Sequence, residues 1–358
     1  ASARRVALTS GQSVAAGGVT YHFVSFRTWT GINDQGEIAF SGATEGPAAS
    51  DDVVMRCSEG GAELLAREGL PAPGQPVGIG FGATNDAIAL LNDGAVTFRS
   101  AGLTGAASQQ VLYRSPALDD AVIVAQTDLT TTLPLGQWVV PTQTLDYIYE
   151  GSFRMDAAGE HYIYYGNLNG SYATDDIIVV DGRVAAQEGA LLPRSPFTSP
   201  VAALHSVGLA APSISPANGH TMFRGTNADG TSWIVRDRAV VATNGAPIVA
   251  GASEVWGGSA YPGVFFLNAT NNRGDFVIGG ATQDGAVESA ALVLNSSRVV
   301  LREGDPVDMD GNGLADDGAR IRSFVGDHAT LTDQLLLYFV AELEDGDGQY
   351  LGEAVIAI

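Results

Sequence analysis

The sequence contains no lysine; all 18 of its basic residues are arginine. Schiff-base and lysine general-base chemistry are therefore excluded. Cysteine occurs once, as Cys57, which rules out an internal disulfide and any cysteine-based zinc cluster. Cys57 itself sits in an apolar run and reads as a small buried hydrophobe rather than a nucleophile. Positive charge is scarce, with 18 Lys+Arg against 40 Asp+Glu and a formal charge of -22. A chain this acidic does not bind nucleic acid by neutralising phosphates, nor an anionic lipid surface. Long hydrophobic runs are also missing. Leu335 to Ala341 is among the longest and is far too short to cross a bilayer as a helix. There is no G-x-S-x-G elbow, H-E-x-x-H pair or Walker loop, and Gly78-Ile79-Gly80-Phe81-Gly82 has the wrong spacing for a dinucleotide loop.

What is present is apolar and glycine-rich: 45% hydrophobic residues, 16% charged and 45 glycines. Such a chain buries a large core. A short apolar strand ending in a small or acidic turn recurs at Arg5 to Gly11, Glu63 to Gly69, Ala121 to Asp128, Arg183 to Gly189, Ala239 to Gly245 and Arg298 to Gly304. Its copies end 58, 59, 61, 56 and 59 residues apart. Between them lies a second marker, clearest as Asn33-Asp34-Gln35-Gly36-Glu37-Ile38-Ala39-Phe40. Weaker copies follow at Asn92 to Phe98, Asp156 to Gly159, Pro216 to Gly219 and Asn271 to Gly274, and a last one at Leu331 to Gln334 lacks glycine. Asn or Asp opens such a turn through its side-chain acceptor, and Gly supplies the positive φ that a Cβ penalises.

Each repeat reads as four antiparallel strands with no helical periodicity. Several strands are apolar on both faces, Leu335 to Ala341 most of all, which requires sheets stacked on both sides. The spacing predicts an all-β fold, a six-bladed β-propeller of four-stranded blades. It forms one domain over residues 1-358, with units at about 11-69, 70-128, 129-189, 190-245, 246-304 and 305-358 plus 1-10. The segment Arg5 to Thr9 has no unit of its own, and Glu353 to Ile358 is a third strand with none after it. Pairing the two closes the ring and covers both sheet edges. An open β-solenoid is the rival architecture.

The run Asn33-x-x-Gly36-x-x-Ala39-Phe40 resembles the N-x-x-G-x-x-A-F motif of a family of secreted bacterial tandem-repeat proteins. The stretch Leu343 to Gly348 with Leu351 to Ala354 is similar to the closing unit of such proteins. The resemblance implies an exported, propeller-like repeat protein and brings no enzymatic activity onto particular residues. The start Ala1-Ser2-Ala3-Arg4-Arg5 is compatible with removal of a secretion signal, so a secreted or cell-surface location is expected.

One motif has readable chemistry. Asp308, Asp310 and Asn312 alternate as oxygen ligands, Gly313 permits the bend, the Leu314 carbonyl follows, and Asp316 or Asp317 completes the shell. Hard Ca²⁺ takes six to eight such oxygens from a short loop. Ala319 stands where an EF-hand places its closing carboxylate, so this is a repeat-type calcium loop with a structural role; the alternative is an acidic solvated turn.

The weaker constellations divide by chemistry. Trp138, Tyr147, Tyr149, Trp256 and Tyr261 fall in long connections; flat aromatic faces there stack on sugar rings, or else cap the core. His161 and His220 each follow a turn glycine and occupy corresponding sites, while a metal or general-base site would need His22, His205 and His328 to converge. The carboxylate pairs Asp51-Asp52, Asp119-Asp120 and Asp175-Asp176, with Glu342 near Glu344, read as solubilising surface rather than a glycosidase pair. The expected function is a calcium-stabilised binding or structural module with a glycan or protein partner. A polysaccharide hydrolase or lyase with an axial site is the alternative, and a self-assembling surface-layer or filament component a second.

Overall fold

The computed structural model describes residues 11–127, 143–149, 151–204, 212–258 and 263–358. Its described elements are β-strands, and the pairings with a described register are antiparallel. The closing segment Arg5 to Thr9 lies outside the described residues. The chain divides into two compact units, Ala1–Leu133 with Thr142–Glu160, and Pro134–Pro141 with His161–Ile358.

In the first unit, β1 (Ser13–Ala16), β2 (Val19–Ile32), β3 (Ile38–Thr44), β4 (Asp52–Ser58) and β5 (Gly61–Arg67) form a sheet in chain order. The next sheet, also in chain order, holds β6 (Thr84–Leu90), β7 (Val96–Leu103), β8 (Ala106–Ser115) and β9 (Val122–Gln126). Two short strands, β10 (Leu145–Ile148) and β11 (Arg154–Met155), follow. The four-strand reading misses β1. Ser13–Ala16 pairs back on Val19–His22 across a two-residue Gly17-Gly18 turn, a local hairpin too short to show as a periodic pattern.

In the second unit, β12 (Tyr162–Leu168), β13 (Asp176–Val180) and β14 (Arg183–Gln187) pair in that order. Then come β15 (Val201–Ala203), β16 (Ser213–Ile214), β17 (Thr221–Asn227), β18 (Ser232–Arg236) and β19 (Ala239–Thr243), with β15 and β16 both paired to β17. The pattern repeats in β20 (Val255–Trp256), β21 (Phe265–Thr270), β22 (Phe276–Asp284), β23 (Val287–Leu294) and β24 (Arg298–Arg302), where β20 and β21 share β22. The last sheet is β25 (Pro306–Val307), β26 (Ala319–Leu331), β27 (Leu337–Glu344) and β28 (Tyr350–Ala357).

Within each unit the sheets pack face to face. Val54, Leu65, Phe81, Phe98 and Tyr113 fill the space between the two sheets of the first unit, with Phe81 and Tyr113 edge to face at 5.4 Å. In the second unit Ile234, Trp256, Ile278 and Val293 form one such layer, and Leu292, Phe324, Phe339 and Leu343 another. Each fully buried large side chain contributes roughly 1.5–3 kcal/mol by leaving water. Strands β7 and β22 are buried on both faces, as stacking requires. The run Leu335 to Ala341 is a correction. Leu335 and Leu336 belong to a turn, and in β27 only alternate residues such as Leu337, Phe339 and Ala341 are buried, so one face of this strand is partly open.

The turns of the second marker explain how successive sheets are joined. Asn33 Oδ1 accepts hydrogen bonds from the N–H groups of Gln35 (3.1 Å) and Glu37 (3.0 Å), which shapes its own turn. Its Nδ2 donates to the carbonyl of Leu91, 3.1 Å away in the turn of the next repeat. There Asn92 Nδ2 donates to Asp34 (2.8 Å), while the Asn92 N–H reaches onward to the Ala157 carbonyl (2.8 Å). The second unit repeats the device. Asn271 Oδ1 accepts from Arg273 and Asp275, and its Nδ2 donates to Thr332 O at 3.0 Å. Asn272 donates twice to Asp333, and itself accepts from the Ala217 N–H at 2.6 Å. Glycine in these turns also admits the neighbouring sheet's side chains. A Cβ on Gly94 would lie 2.6 Å from an Arg56 nitrogen, and one on Gly219 2.4 Å from the His161 ring.

The last of these turns, without glycine, puts Leu335 at φ 64°. A left-handed non-glycine residue is strained by roughly 1–2 kcal/mol, partly offset by the backbone entropy a glycine would lose. Leu335→Gly is expected to raise stability by about 1 kcal/mol in urea unfolding, since its partly exposed side chain contributes little packing. A fall in stability would contradict this account of the turn.

Candidate functional site

The acidic loop is the connection between β25 and β26. Pairing of Pro306 with Arg320 and Val307 with Ala319 brings its two ends together. Inside it the carboxylates of Asp308, Asp310 and Asp317 each place an oxygen within 4.8 Å of the other two. Backbone N–H groups organise them. Asp308 accepts from Gly311 (2.8 Å) and Gly313 (2.7 Å), and Asp317 from Met309 (2.6 Å) and Asp310 (3.2 Å). Asn312 belongs to the same turn, its Oδ1 accepting from the Leu314 N–H and its Nδ2 donating to Asp310. The bond from Gly313, seconded by those from Gly311 and Asn312, holds the Asp308 carboxyl below the usual carboxylate range. Asp316 is exposed and is not one of the three converging carboxylates; Asp317 is the one turned inward. Three anionic oxygens drawn together, with the Asn312 side-chain amide in the same turn, form a donor set that fits a hard divalent cation.

The aromatic residues separate. Trp138 and Tyr261 lie outside the described residues. Trp256 is 2% exposed and packs at 5.4 Å against Phe265, so its ring faces are taken up by the core and it is not a surface for a sugar. Tyr147 is 38% exposed, with its ring centroid 5.2 Å from that of Tyr149.

A buried clamp that the sequence did not reveal fixes Tyr147. Asp86 on β6 and Arg99 on β7 are cross-strand partners and form a two-pronged ion pair at 2.8 and 2.6 Å. Arg99 also donates to the Ile148 carbonyl at 2.6 Å, and Gln110 accepts from the Ile148 N–H at 3.0 Å. Strand β10 is thereby held to the β6–β9 sheet, and the Arg99 guanidinium lies 5.8 Å from the Tyr147 ring centroid. Nothing in the spacing of Asp86 and Arg99 marks them; only strand register places them opposite each other.

The histidines behave as the repeat implies. His161 Nδ1 meets Asp181 at 3.0 Å and His220 Nδ1 meets Asp237 at 2.7 Å, each Asp also accepting the next backbone N–H of the adjacent strand. His22 pairs with Ser13 at 2.6 Å. His205, and the side chain of His328, lie outside what is described. Cys57 is half-buried in β4, where burial pushes its thiol up.

Two of the carboxylate pairs are not surface. Asp52, which opens β4, and Asp175, one residue ahead of β13, are buried, and Glu68 and Glu188 stand in corresponding positions, their N–H groups donating to the carbonyls of Asp52 and Asp176. Burial, reinforced by Asp176 and Asp175, pushes the Glu188 carboxyl up to about 7. Glu68 is raised by burial in the same way, beside Asp51 and Asp52. An acid raised on folding stabilises the fold while protonated; that contribution fades as pH climbs from the ordinary carboxylate range through about 7. Glu188→Gln is expected to match the parent protein near pH 5 and to melt higher above pH 7. Parallel melting curves across that range would contradict the assignment.

Residues 2–171 match the model of a family of unknown function (DUF7453). None of the curated proteins compared with the chain matches it. Among solved structures, the chain is similar to apo prolyl oligopeptidase B from Galerina marginata, at 9% identity and a TM-score of 0.42, over 92% of this chain and 41% of that one. A puromycin-hydrolyzing peptidase of Mycobacterium tuberculosis is similar at 14% identity and a TM-score of 0.40, over 88% and 42% of the two chains. The polysaccharide lyase Uly1 is similar at 9% identity and a TM-score of 0.37, over 99% and 85%. The chain thus spans 41% and 42% of the length of the two peptidases it resembles.

Proposed function

We propose that the chain is an exported, calcium-stabilised six-bladed β-propeller that serves as a glycan- or protein-binding module. The observation that carries the binding reading is Tyr147, an aromatic ring 38% exposed yet pinned from behind by a buried ion pair. A rigid, half-open aromatic face loses little entropy when a sugar ring stacks on it. On a glycan array, Tyr147→Ala is expected to lose most of the signal of the parent protein. A hydrolysis screen on the same glycans distinguishes a binder from a polysaccharide hydrolase or lyase. Equal array signals from both proteins would contradict the assignment to Tyr147.

The propeller reading rests on the repeat spacing and on the last sheet. Strands β4, β8, β13, β18 and β23 are each followed by a further paired strand, but among the described residues β28 is the last strand of its sheet. The segment Arg5 to Thr9 has the composition of that missing strand, and pairing it with β28 closes the ring. One observation favours the self-assembly reading instead: Tyr350, Leu351 and Val355 are exposed on β28, a strand whose outer edge has no partner among the described residues. Removing residues 1–10 is expected to lower the melting temperature and promote aggregation if the segment covers that edge.

Calcium is assigned to Asp308, Asp310, Asn312, Leu314 and Asp317. The cation offsets repulsion among the converging carboxylates and holds the loop to its short β25 strand. Binding at a hundred times the dissociation constant stabilises a fold by about 3 kcal/mol. Excess chelator is therefore expected to lower the melting temperature of the parent protein and to leave that of Asp310→Ala unchanged. Identical melting with and without chelator in the parent would contradict the calcium assignment.

A further inference from the structure

The second unit contains a cavity of about 540 Å³, lined by residues of β14, the loop after it, and the β17–β18 hairpin. Its buried floor is apolar, formed by Leu192, Phe223 and Val235, while Arg183, Arg194 and Arg238 stand exposed at its rim. None of these guanidinium groups makes an ion pair or hydrogen bond to a described residue. In a chain with 40 carboxylates and 18 arginines, three unpartnered arginines around one cavity need an explanation. The two carboxylates at the cavity are already engaged. Asp181 accepts from the Tyr162 N–H and meets His161; Asp237 accepts from the Thr221 N–H and meets His220.

A second observation is independent of the first. Arg194 is held at φ 59° in the turn Leu192-Pro193-Arg194-Ser195, closed by the Ser195 N–H on the Leu192 carbonyl. The second repeat makes the same turn as Ala72-Pro73-Gly74-Gln75, closed by Gln75 on Ala72, and there the left-handed residue is Gly74 at φ 74°. A proline followed by a positive-φ position calls for glycine. Arginine stands there against the backbone preference and directs a cation to the cavity. Arg238 is likewise left-handed, at φ 73°. Strain of this kind gathers at ligand clamps.

We propose that this cavity binds a small carboxylate- or sulfate-bearing ligand, its oxyanion held by Arg183, Arg194 and Arg238 and its body seated on Phe223 and Leu192. The guanidinium fork matches both oxyanions in two-pronged geometry, and the cavity is of a size that takes a small organic ligand. The site lies within the second unit and does not depend on the Tyr147 surface of the first.

The test is calorimetric titration of the full chain with glucuronate, with inorganic sulfate and with glucose as the neutral control. Saturable binding of at least one anion, weakened by added salt and absent for glucose, is expected. Sulfate binding as tightly as glucuronate assigns recognition to the oxyanion alone; tighter glucuronate assigns it to a carboxylate on a ring. Arg194→Gly is expected to melt no lower than the parent, because it relieves the turn, and to weaken the anion about tenfold or more. Arg183→Gln is expected to weaken it comparably without shifting the melt. The proposal is overturned by no binding of either anion up to about 10 mM, or by unchanged affinity in both variants.

Discussion

The interaction on which each unit depends is a hydrogen bond from an asparagine amide to the carbonyl of a turn about sixty residues further on. Asn33 to Leu91 and Asn271 to Thr332 are its two plainest examples. One atom of the amide, the oxygen, folds the residue's own turn; the other, the nitrogen, ties that turn to the next sheet. Hydrophobic packing between sheets is larger in total but has no register of its own. The amide bonds supply it, because a donor buried away from water must meet one particular carbonyl. Asn271 is completely buried, so its nitrogen cannot turn to solvent instead.

The same frame explains where the few cations go. Arg56 reaches the carbonyl of the next turn's glycine, Arg114 pairs with Asp93, Arg302 with Glu254, and Arg99 sits beside Asp86 with almost no exposure. These arginines brace strands and turns in a strongly acidic chain. Against that use, the unpartnered group at the rim of the second-unit cavity is an exception, and it coincides with a turn that gives up glycine.

Much of this architecture was legible in the sequence, and the reason is period. The recurring Asn or Asp followed by Gly marked the turns, and short β-rich runs marked the strands beside them. Asn92 and Asp93 show the limit. They sit one and two places later in their turn than Asn33 does, Leu91 taking the first position, and only the hydrogen bonds reveal the shift. Trp256 looked like a surface aromatic because it lies in a long connection, yet its short strand carries it into the core. Asp52 and Asp175 looked solvated because paired acids usually are; cross-strand neighbours bury them. In the acidic loop the choice between Asp316 and Asp317 rested on backbone direction, which spacing does not encode. Contacts made by strand register, such as Asp86 with Arg99, leave no local signature at all.

The most direct measurement is the stability of Asn271→Asp against pH. The substitution keeps the shape and the acceptor that shapes the turn, but replaces the donor nitrogen by an oxygen facing the Thr332 carbonyl and Asp275. At pH 7 the account predicts a loss of several kcal/mol, roughly 2–4, recovered in part as pH falls and the new carboxyl regains a proton to donate. Unchanged stability at pH 7 would mean that the sheets keep their register without the amide, and would contradict the account.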